Sequence, residues 1–116
     1  MKLNHLSLSV TNISEAATFF IKFFDFKLTD QKGDFVAILN DVNGFTLVLT
    51  KNQTDKLSYP PDFHFGFLKN TEEEVLAMYD KLTKGGLSIP PPKSIRGNFG
   101  FYFNGPDGIL MEVSCA

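Results

Sequence analysis

The sequence predicts an α+β fold in which two tandem βαβββ units form a cupped, largely antiparallel sheet with the helices on its outer face. One observation is size, since 116 residues, 43% of them hydrophobic, suffice for one globular domain with its own core. The other is an internal repeat at an offset of 59 residues, which relates three pairs of residues: His5 and His64, Asn12 and Thr71, Glu15 and Glu74. We therefore expect a single domain over residues 1–116, with repeat units of about 1–52 and 60–116.

The first unit opens with a predicted strand and a helix. Residues 2–10 alternate between apolar and polar side chains, which predicts a strand with Leu8 and His5 on opposite faces. Asn12 and Glu15 have the spacing of a capping box at a helix start. The helix then carries an apolar stripe of five residues: Ala16, Phe19, Phe20, Phe23 and Phe24. A stripe of this width is typical of a helix that packs on a sheet.

Three further strands and a linker complete the first unit. Strands are expected at 26–29, 35–40 and 45–50, where apolar and β-branched residues lie between turn residues. The segment 51–61 is polar and ends in two prolines, which is typical of a linker.

The second unit repeats this plan. A strand is expected at 62–68, with His64 on the face opposite three phenylalanines. Thr71 and Glu74 form a second capping box, and the following helix has an apolar stripe of four residues: Val75, Met78, Tyr79 and Leu82. A short strand is expected at 87–89, before a run of three prolines ends it.

The last hairpin contains an unusually placed carboxylate. Two alternating runs flank the turn at 104–108, which predicts a β-hairpin. In its second arm three apolar residues share a face that we expect to be buried: Met111, Val113 and Cys115. Glu112 projects from the opposite face, and a carboxylate in the middle of a strand rarely lacks a partner.

Composition excludes several classes of function. The net charge is −2 and the basic residues are scattered, so nucleic acid is not an expected partner. The single cysteine, Cys115, cannot form an internal disulfide, which favours a reducing compartment. No stretch approaches the ~20 apolar residues of a membrane span, and the first ten residues lack the apolar run of a signal peptide. We expect a cytoplasmic protein.

The two histidines and Glu112 form the candidate metal site. His5 and His64 occupy the same position of the two repeats, and we expect both on sheet faces that the helices leave uncovered, with Glu112. Each residue alone has a structural interpretation, as a hydrogen-bonded histidine or a solvated acid. Together, two imidazoles and one carboxylate with open coordination positions are what a divalent metal needs to bind and activate a small ligand.

Three further residues are candidates for contact with a substrate. Tyr102 lies on the face opposite its two phenylalanine neighbours and is a candidate proton or hydrogen-bond donor, with a structural tyrosine as the alternative. Lys93 and Arg96 flank a loop rich in proline and glycine. They are candidates to clamp an anionic substrate, with solvated surface charge as the alternative.

These features resemble the vicinal oxygen chelate superfamily, which includes glyoxalases, bleomycin-resistance and fosfomycin-resistance proteins and extradiol dioxygenases. The resemblance covers the whole chain and is carried by the paired units, the strand at His5–Val10 and the Pro-Asp-Gly turn four residues before Glu112. It implies metal ligands at His5, His64 and Glu112, a fourth ligand position at Val48, and a homodimer that binds a small molecule. Some members of the family form such dimers by exchanging units.

The resemblance does not select one reaction. Val48 cannot ligate a metal, whereas glyoxalase I-like enzymes generally use four protein ligands. Extradiol dioxygenases share the three ligands but use an additional histidine. Fosfomycin-resistance thiol transferases share them and also resemble this chain at Ser7 and Tyr102, yet they use an arginine beyond the last ligand. Ser7 and Val48 are accordingly expected near a substrate.

Three hypotheses about function follow. The first is a divalent-metal-dependent enzyme, using Zn, Mn, Ni or Fe, that acts as a lyase, thiol transferase or dioxygenase on an oxygen-bearing substrate. The second is a metal-free binding protein of the bleomycin-resistance type, in which His5 and His64 are pocket walls. The third is a structural or regulatory descendant that binds neither metal nor small molecule.

Overall fold

The computed structural model describes residues Met1–Ala116 and contains two compact units, Met1–Ser58 and Tyr59–Ala116. Each unit has one helix and one four-stranded sheet, so the predicted α+β fold with two βαβββ units is confirmed. The elements of the first unit are β1 (His5–Val10), α1 (Ile13–Phe24), β2 (Lys27–Lys32), β3 (Val36–Asn40) and β4 (Thr46–Lys51). Those of the second are β5 (His64–Lys69), α2 (Glu72–Lys84), β6 (Lys93–Ile95), β7 (Asn98–Asn104) and β8 (Leu110–Cys115).

Both sheets have the same topology. The strand order is β1-β4-β3-β2 in the first unit and β5-β8-β7-β6 in the second. In each, the first strand runs parallel to the last, and the other neighbours are antiparallel, as the prediction of largely antiparallel sheets requires. The first and last strands of a unit are therefore hydrogen-bonded neighbours, which brings residues from the two ends of that unit side by side.

Each helix begins at the predicted cap. The Asn12 side chain accepts a hydrogen bond from the Glu15 N–H at 3.0 Å, and the Thr71 hydroxyl accepts one from the Glu74 N–H at 3.1 Å. The Glu74 carboxylate accepts from the N–H of Asn70, one residue before the cap. Such caps satisfy donors that have no partner within the helix, and each typically stabilises the helix by ~1 kcal/mol.

The core of each unit lies between its helix and one face of its sheet. In the first unit Phe20 of α1 is fully buried, with Leu39 and Leu49 of the sheet. In the second, Val75 and Leu82 of α2 are buried, together with four sheet and turn residues: Ile109, Met111, Val113 and Cys115. Burying one aliphatic or aromatic side chain of this kind contributes ~1.5–3 kcal/mol. The opposite face of each sheet does not pack against the helix of its unit.

Some predicted strand boundaries shift, and one predicted strand is wrong. The first strand begins at His5 rather than at residue 2, and β2 extends to Lys32. Residues 87–89 form no strand, and the second strand of this unit is β6 at Lys93–Ile95, which pairs with β7. Prolines 90–92 have no N–H to donate to a ladder, so pairing starts only after them. Neither helix is long and apolar enough to cross a membrane.

Candidate functional site

The buried polar residues of the chain lie together on β8. Glu112 and Ser114 are only 8% and 6% exposed, whereas no other charged or polar residue is buried. They alternate with the core residues Met111 and Val113, so they project from the face of the second sheet opposite α2. A buried carboxylate is costly unless donors surround it, which makes this face the natural place to look for a site.

The strand register selects the neighbours of Glu112. On one side β5 pairs Gly66 with Glu112, and on the other β7 pairs Tyr102 with it. Paired residues of neighbouring strands project from the same face of a sheet. The Tyr102 side chain therefore lies on the same face as Glu112, as the alternation with its phenylalanine neighbours predicts.

Two side chains donate hydrogen bonds to the Glu112 carboxylate. Arg96 Nη2 lies 3.2 Å from Oε1 in an ion pair, and the Ser114 hydroxyl donates to Oε2 at 2.9 Å. The phenol of Tyr102 lies on the same sheet face, close enough to interact with the carboxylate. Together they satisfy a charge that would otherwise be unpaired in a buried position.

This network changes the acidity of Tyr102. Its hydrogen bond to Glu112 raises the pKa of Tyr102 above the ordinary value of 10.0, and burial and the charge of Glu112 act in the same direction. Arg96 opposes them and lowers the pKa. At neutral pH Tyr102 therefore keeps its proton and serves as a donor rather than as a base.

His64 approaches the same point from β5. Its ring lies edge-on to the Tyr102 ring, with centroids 5.6 Å apart and an interplanar angle of 80°. Because β8 lies between β5 and β7, whose backbones are ~10 Å apart, the two rings converge over β8. The second unit thus brings His64, Tyr102 and Glu112 together.

The tautomer of His64 is fixed by the backbone. Its Nδ1 lies 2.9 Å from the carbonyl oxygen of Asp62, which can only accept. In the neutral ring Nδ1 therefore carries the hydrogen, and Nε2 carries the lone pair that a metal or a proton would use. Metal-ligating histidines typically have this kind of second hydrogen bond.

Gly66 lies in close contact with Glu112. A Cβ at Gly66 would lie 3.0 Å from the backbone oxygen of Glu112 and 3.1 Å from its Cβ. No side chain therefore stands between His64 and the carboxylate on the β5 side. An imidazole lone pair and a carboxylate on one sheet face are ligand types that a divalent cation accepts. Within neither unit, however, do three or more His, Cys, Asp or Glu side chains come close enough to share a metal ion.

The first unit places its candidate residues on the equivalent strands. Ser7 pairs with Val48, two positions along from the pair of His5 and Thr46. His5 is exposed, and its Nδ1 lies 2.7 Å from the side-chain oxygen of Asn4, so its Nε2 also carries the lone pair. Val48 is thus the counterpart of Glu112 in the strand register, at an offset of 64 residues.

The predicted site residues differ in their relation to Glu112. Arg96 is an ion-pair partner of Glu112, whereas Lys93 is exposed and forms no ion pair. Ser114 was missed, although its position two residues after Glu112 on one strand face was a signal that could have revealed it. Gly66 was missed as well, because only the register shows which residue it faces.

Comparison with known proteins agrees with this fold. Residues 2–113 match the family described as the Glyoxalase/Bleomycin resistance protein/Dioxygenase superfamily. A possible glyoxalase from Bacillus cereus has a similar structure, with a TM-score of 0.89 and 33% identity over 99% of both chains. The fosfomycin resistance protein FosX from Listeria monocytogenes, at 18% identity, shares the fold with a TM-score of 0.83 over 100% of this chain and 93% of that one.

A curated relative matches over part of its length. The trivalent organoarsenical cleaving enzyme of Bacillus sp. (strain MD1) is 30% identical over 87 residues, which are 75% of this chain and 53% of that enzyme. The chain thus spans about half the length of this relative. The family match, by contrast, covers nearly every residue. The chain belongs to the glyoxalase, bleomycin-resistance protein and dioxygenase superfamily.

Proposed function

We propose that this protein is a divalent-metal-dependent enzyme that acts on a small, oxygen-bearing substrate. His64 and Glu112 are the proposed ligands of the second unit, and His5, the counterpart of His64 in the repeat, is the third. The observation that carries the proposal is the convergence of the His64 ring, with its Nε2 lone pair, and the Glu112 carboxylate on one sheet face. Zn²⁺, Mn²⁺, Ni²⁺ and Fe²⁺ all accept such ligands.

The residues around Glu112 have distinct proposed roles. A bound divalent ion would supply Lewis-acid stabilisation of negative charge on a substrate oxygen. Tyr102, which stays protonated, would donate a hydrogen bond or a proton to that oxygen. Ser114 holds the carboxylate in position, as a positioning residue. Lys93 and Arg96 would attract an anionic group, and Ser7 and Val48 are proposed substrate neighbours in the first unit.

The class of substrate is open to a direct test. By its name, the curated relative cleaves trivalent organoarsenicals, so methylated and aromatic arsenicals belong in a substrate panel. Trivalent arsenic prefers soft thiolate ligands, but the single cysteine here, Cys115, is buried on the core face of β8. We therefore propose oxygen-bearing compounds, α-keto and α-hydroxy carbonyl compounds first, ahead of arsenicals.

Metal binding tests the proposal before any substrate is known. Titration calorimetry with Mn²⁺, Ni²⁺ and Zn²⁺ should show binding that is weakened by at least about tenfold in His64→Ala and in Glu112→Gln. Glu73→Gln is the matched control, because Glu73 is an exposed acid in the first turn of α2. Wild-type protein that binds no divalent ion, or ligand variants that bind like the control, would contradict the proposal.

A second candidate function is metal-free binding of a small molecule. It is supported by the carboxylate itself, whose two oxygens are already bonded to Arg96 and Ser114. In that case Glu112 and Arg96 would be fixed polar walls of a binding site. A ligand that binds only the folded protein raises its melting temperature, so stabilisation by small molecules with chelator present would favour this candidate.

The proposed setting of the protein is a homodimer in the cytoplasm. Membership of the superfamily supports both features. Sedimentation equilibrium of the purified protein tests the dimer, and a monomer at all concentrations would exclude it.

A further inference from the structure

We propose that Arg96 is a displaceable counter-ion, which occupies Glu112 in the metal-free protein and leaves it when a divalent cation binds. This inference rests on the proposed function, because it assumes that Glu112 is a metal ligand. It concerns a residue outside the ligand set, and it predicts how that residue controls the affinity of the site.

The ion pair is asymmetric in burial. The Glu112 side chain is 11% exposed, whereas that of Arg96 is 71% exposed. The carboxylate therefore needs a positive partner more than the guanidinium needs a negative one, since Arg96 keeps most of its hydration either way. Releasing Arg96 to water costs little if another cation takes its place at Glu112.

The backbone at Arg96 lets the side chain leave without disturbing the sheet. Arg96 and Gly97 form the two-residue turn between β6 and β7, and Ile95 pairs with Asn98 across it. Both turn residues have positive φ, +48° for Arg96 and +84° for Gly97, as in a type I′ turn. The turn is held by this pairing, so rotation of the Arg96 side chain alone breaks the ion pair.

The other donors of the network do not compete with a cation in the same way. Ser114 and Tyr102 are neutral donors that reach Glu112 from its own strand and from β7. Arg96 carries a full positive charge, and it lies 3.2 Å from Oε1. A divalent ion at that oxygen would repel the guanidinium across a poorly screened distance. Cation and Arg96 therefore exclude each other, while Ser114 and Tyr102 stay in place.

The exchange has a consequence for the ligand of the loaded site. A released guanidinium has five N–H donors and is suited to carboxylates and other planar or tetrahedral anions. A bound cation would thus make a second positive group available on the same sheet face. An anion bound by Arg96 would therefore strengthen cation binding. By linkage, the cation would strengthen the binding of that anion by the same factor.

Arg96→Asn tests the exchange without weakening the hairpin. Asn-Gly is a preferred sequence for a type I′ turn, and asparagine is too short to reach Glu112 from this position. Mn²⁺ affinity, measured by titration calorimetry, should rise about tenfold over wild type. Lys84→Gln removes an equal charge from an exposed ion pair on α2, away from Glu112, and should change the affinity by less than about twofold.

A second readout is how the difference in melting temperature between wild type and variant changes when metal is added. If the role of Arg96 were purely structural, that difference would be the same with and without metal. Without metal, Arg96→Asn should melt below wild type, because Glu112 loses its counter-ion. With saturating Mn²⁺ that difference should disappear. An equal loss with and without Mn²⁺, or an affinity no higher than that of Lys84→Gln, would overturn the exchange while leaving the metal site intact.

Two further outcomes of the Mn²⁺ titrations also test the exchange. If Arg96→Asn binds Mn²⁺ and wild type does not, the counter-ion is strong enough to block the site, which supports the exchange. If wild type and both variants fail to bind any divalent ion, the exchange falls together with the proposed function. A failure of the exchange alone is thereby distinguishable from a failure of both.

Discussion

The face of each sheet that lies opposite its helix differs sharply between the two units, although the strands of both units pair in the same register. In the second unit this face carries a buried carboxylate with its donors, and in the first it carries the exposed His5 with apolar and hydroxyl side chains. The register relates five pairs of positions: Ser7 and Gly66, Val48 and Glu112, Ile38 and Tyr102, Thr50 and Ser114, Val36 and Gly100.

A buried charge on a sheet needs polar partners on the neighbouring strands, whereas an apolar residue at the same position does not. Val48 and Ile38 pack against each other without any polar partner, so the first unit needs nothing special on this face. Glu112 is bonded to a hydroxyl and a guanidinium, and there are glycines at two nearby positions, Gly66 and Gly100. One backbone topology therefore supports a face with or without a buried charge, and local substitutions decide between them.

The largest expected effect comes from Gly100. A Cβ at this position would lie 2.3 Å from the Val113 carbonyl oxygen and 2.6 Å from the Ser114 Cβ. The obstacle is backbone, which cannot move without disturbing the pairing of β7 with β8. Gly100→Ala should therefore destabilise the protein by about 3 kcal/mol or more, as measured by urea unfolding.

Gly66→Ala is the matched control for that prediction. There the nearest contacts of a Cβ are 3.0 and 3.1 Å, so a small shift suffices and a loss of about 1 kcal/mol is expected. Equal losses in the two variants would show that the close approach at Gly100 carries no special cost.

A smaller effect is expected from the hydroxyl of Ser114. Ser114→Ala leaves one oxygen of a buried carboxylate without its donor, which should cost about 2 kcal/mol. In the first unit Thr50 donates at 3.4 Å to the backbone oxygen of Leu8, a neutral acceptor. Thr50→Val should therefore cost less than about 1 kcal/mol in the same unfolding measurement. The comparison between the units fails if Thr50→Val is the more damaging change.

The smallest effect depends on pH and comes from Tyr102. The pKa of Tyr102 is raised in the folded protein, so its stabilising contribution is complete below the unfolded pKa, near 10.0. It is lost as pH rises from there through the folded pKa. At neutral pH Tyr102→Phe should cost about 1 kcal/mol, and the difference from wild type should shrink in alkaline solution.

Two measurements check this. Unfolding experiments at a series of pH values give the stability difference between wild type and Tyr102→Phe. The difference between their near-ultraviolet titrations isolates ionisation of the Tyr102 phenol. A phenol that ionises at or below its ordinary pKa would contradict the hydrogen bond to Glu112.

Much of the fold could be predicted because its signals are local. Capping residues such as Asn12 and Thr71 act within one helical turn, and both form the predicted hydrogen bonds. The faces of β8 follow from simple alternation, and its core face is buried as expected. The strand predicted at 87–89 was wrong because strand propensity says nothing about which backbone donors find a partner.

The site was predictable only in part. Glu112 and His64 could be assigned to one face from alternation, and the register agrees with that assignment. The role of Arg96 at Glu112 depends on a turn in which a non-glycine residue adopts positive φ, and no sequence pattern predicts that geometry for arginine. Side-chain networks that cross three strands need the register first, and the register is a tertiary property.

The hydrogen bonds that orient the two histidines also differ in how they withstand mutation. His64 is oriented by the main-chain carbonyl of Asp62, an atom that every amino acid supplies, so no substitution at that position removes the acceptor. His5 depends on the side chain of Asn4, which a single codon change can delete. Over evolutionary time the orientation of His64 is therefore protected, whereas that of His5 is exposed to drift, and the two halves of a duplicated chain can diverge at different rates.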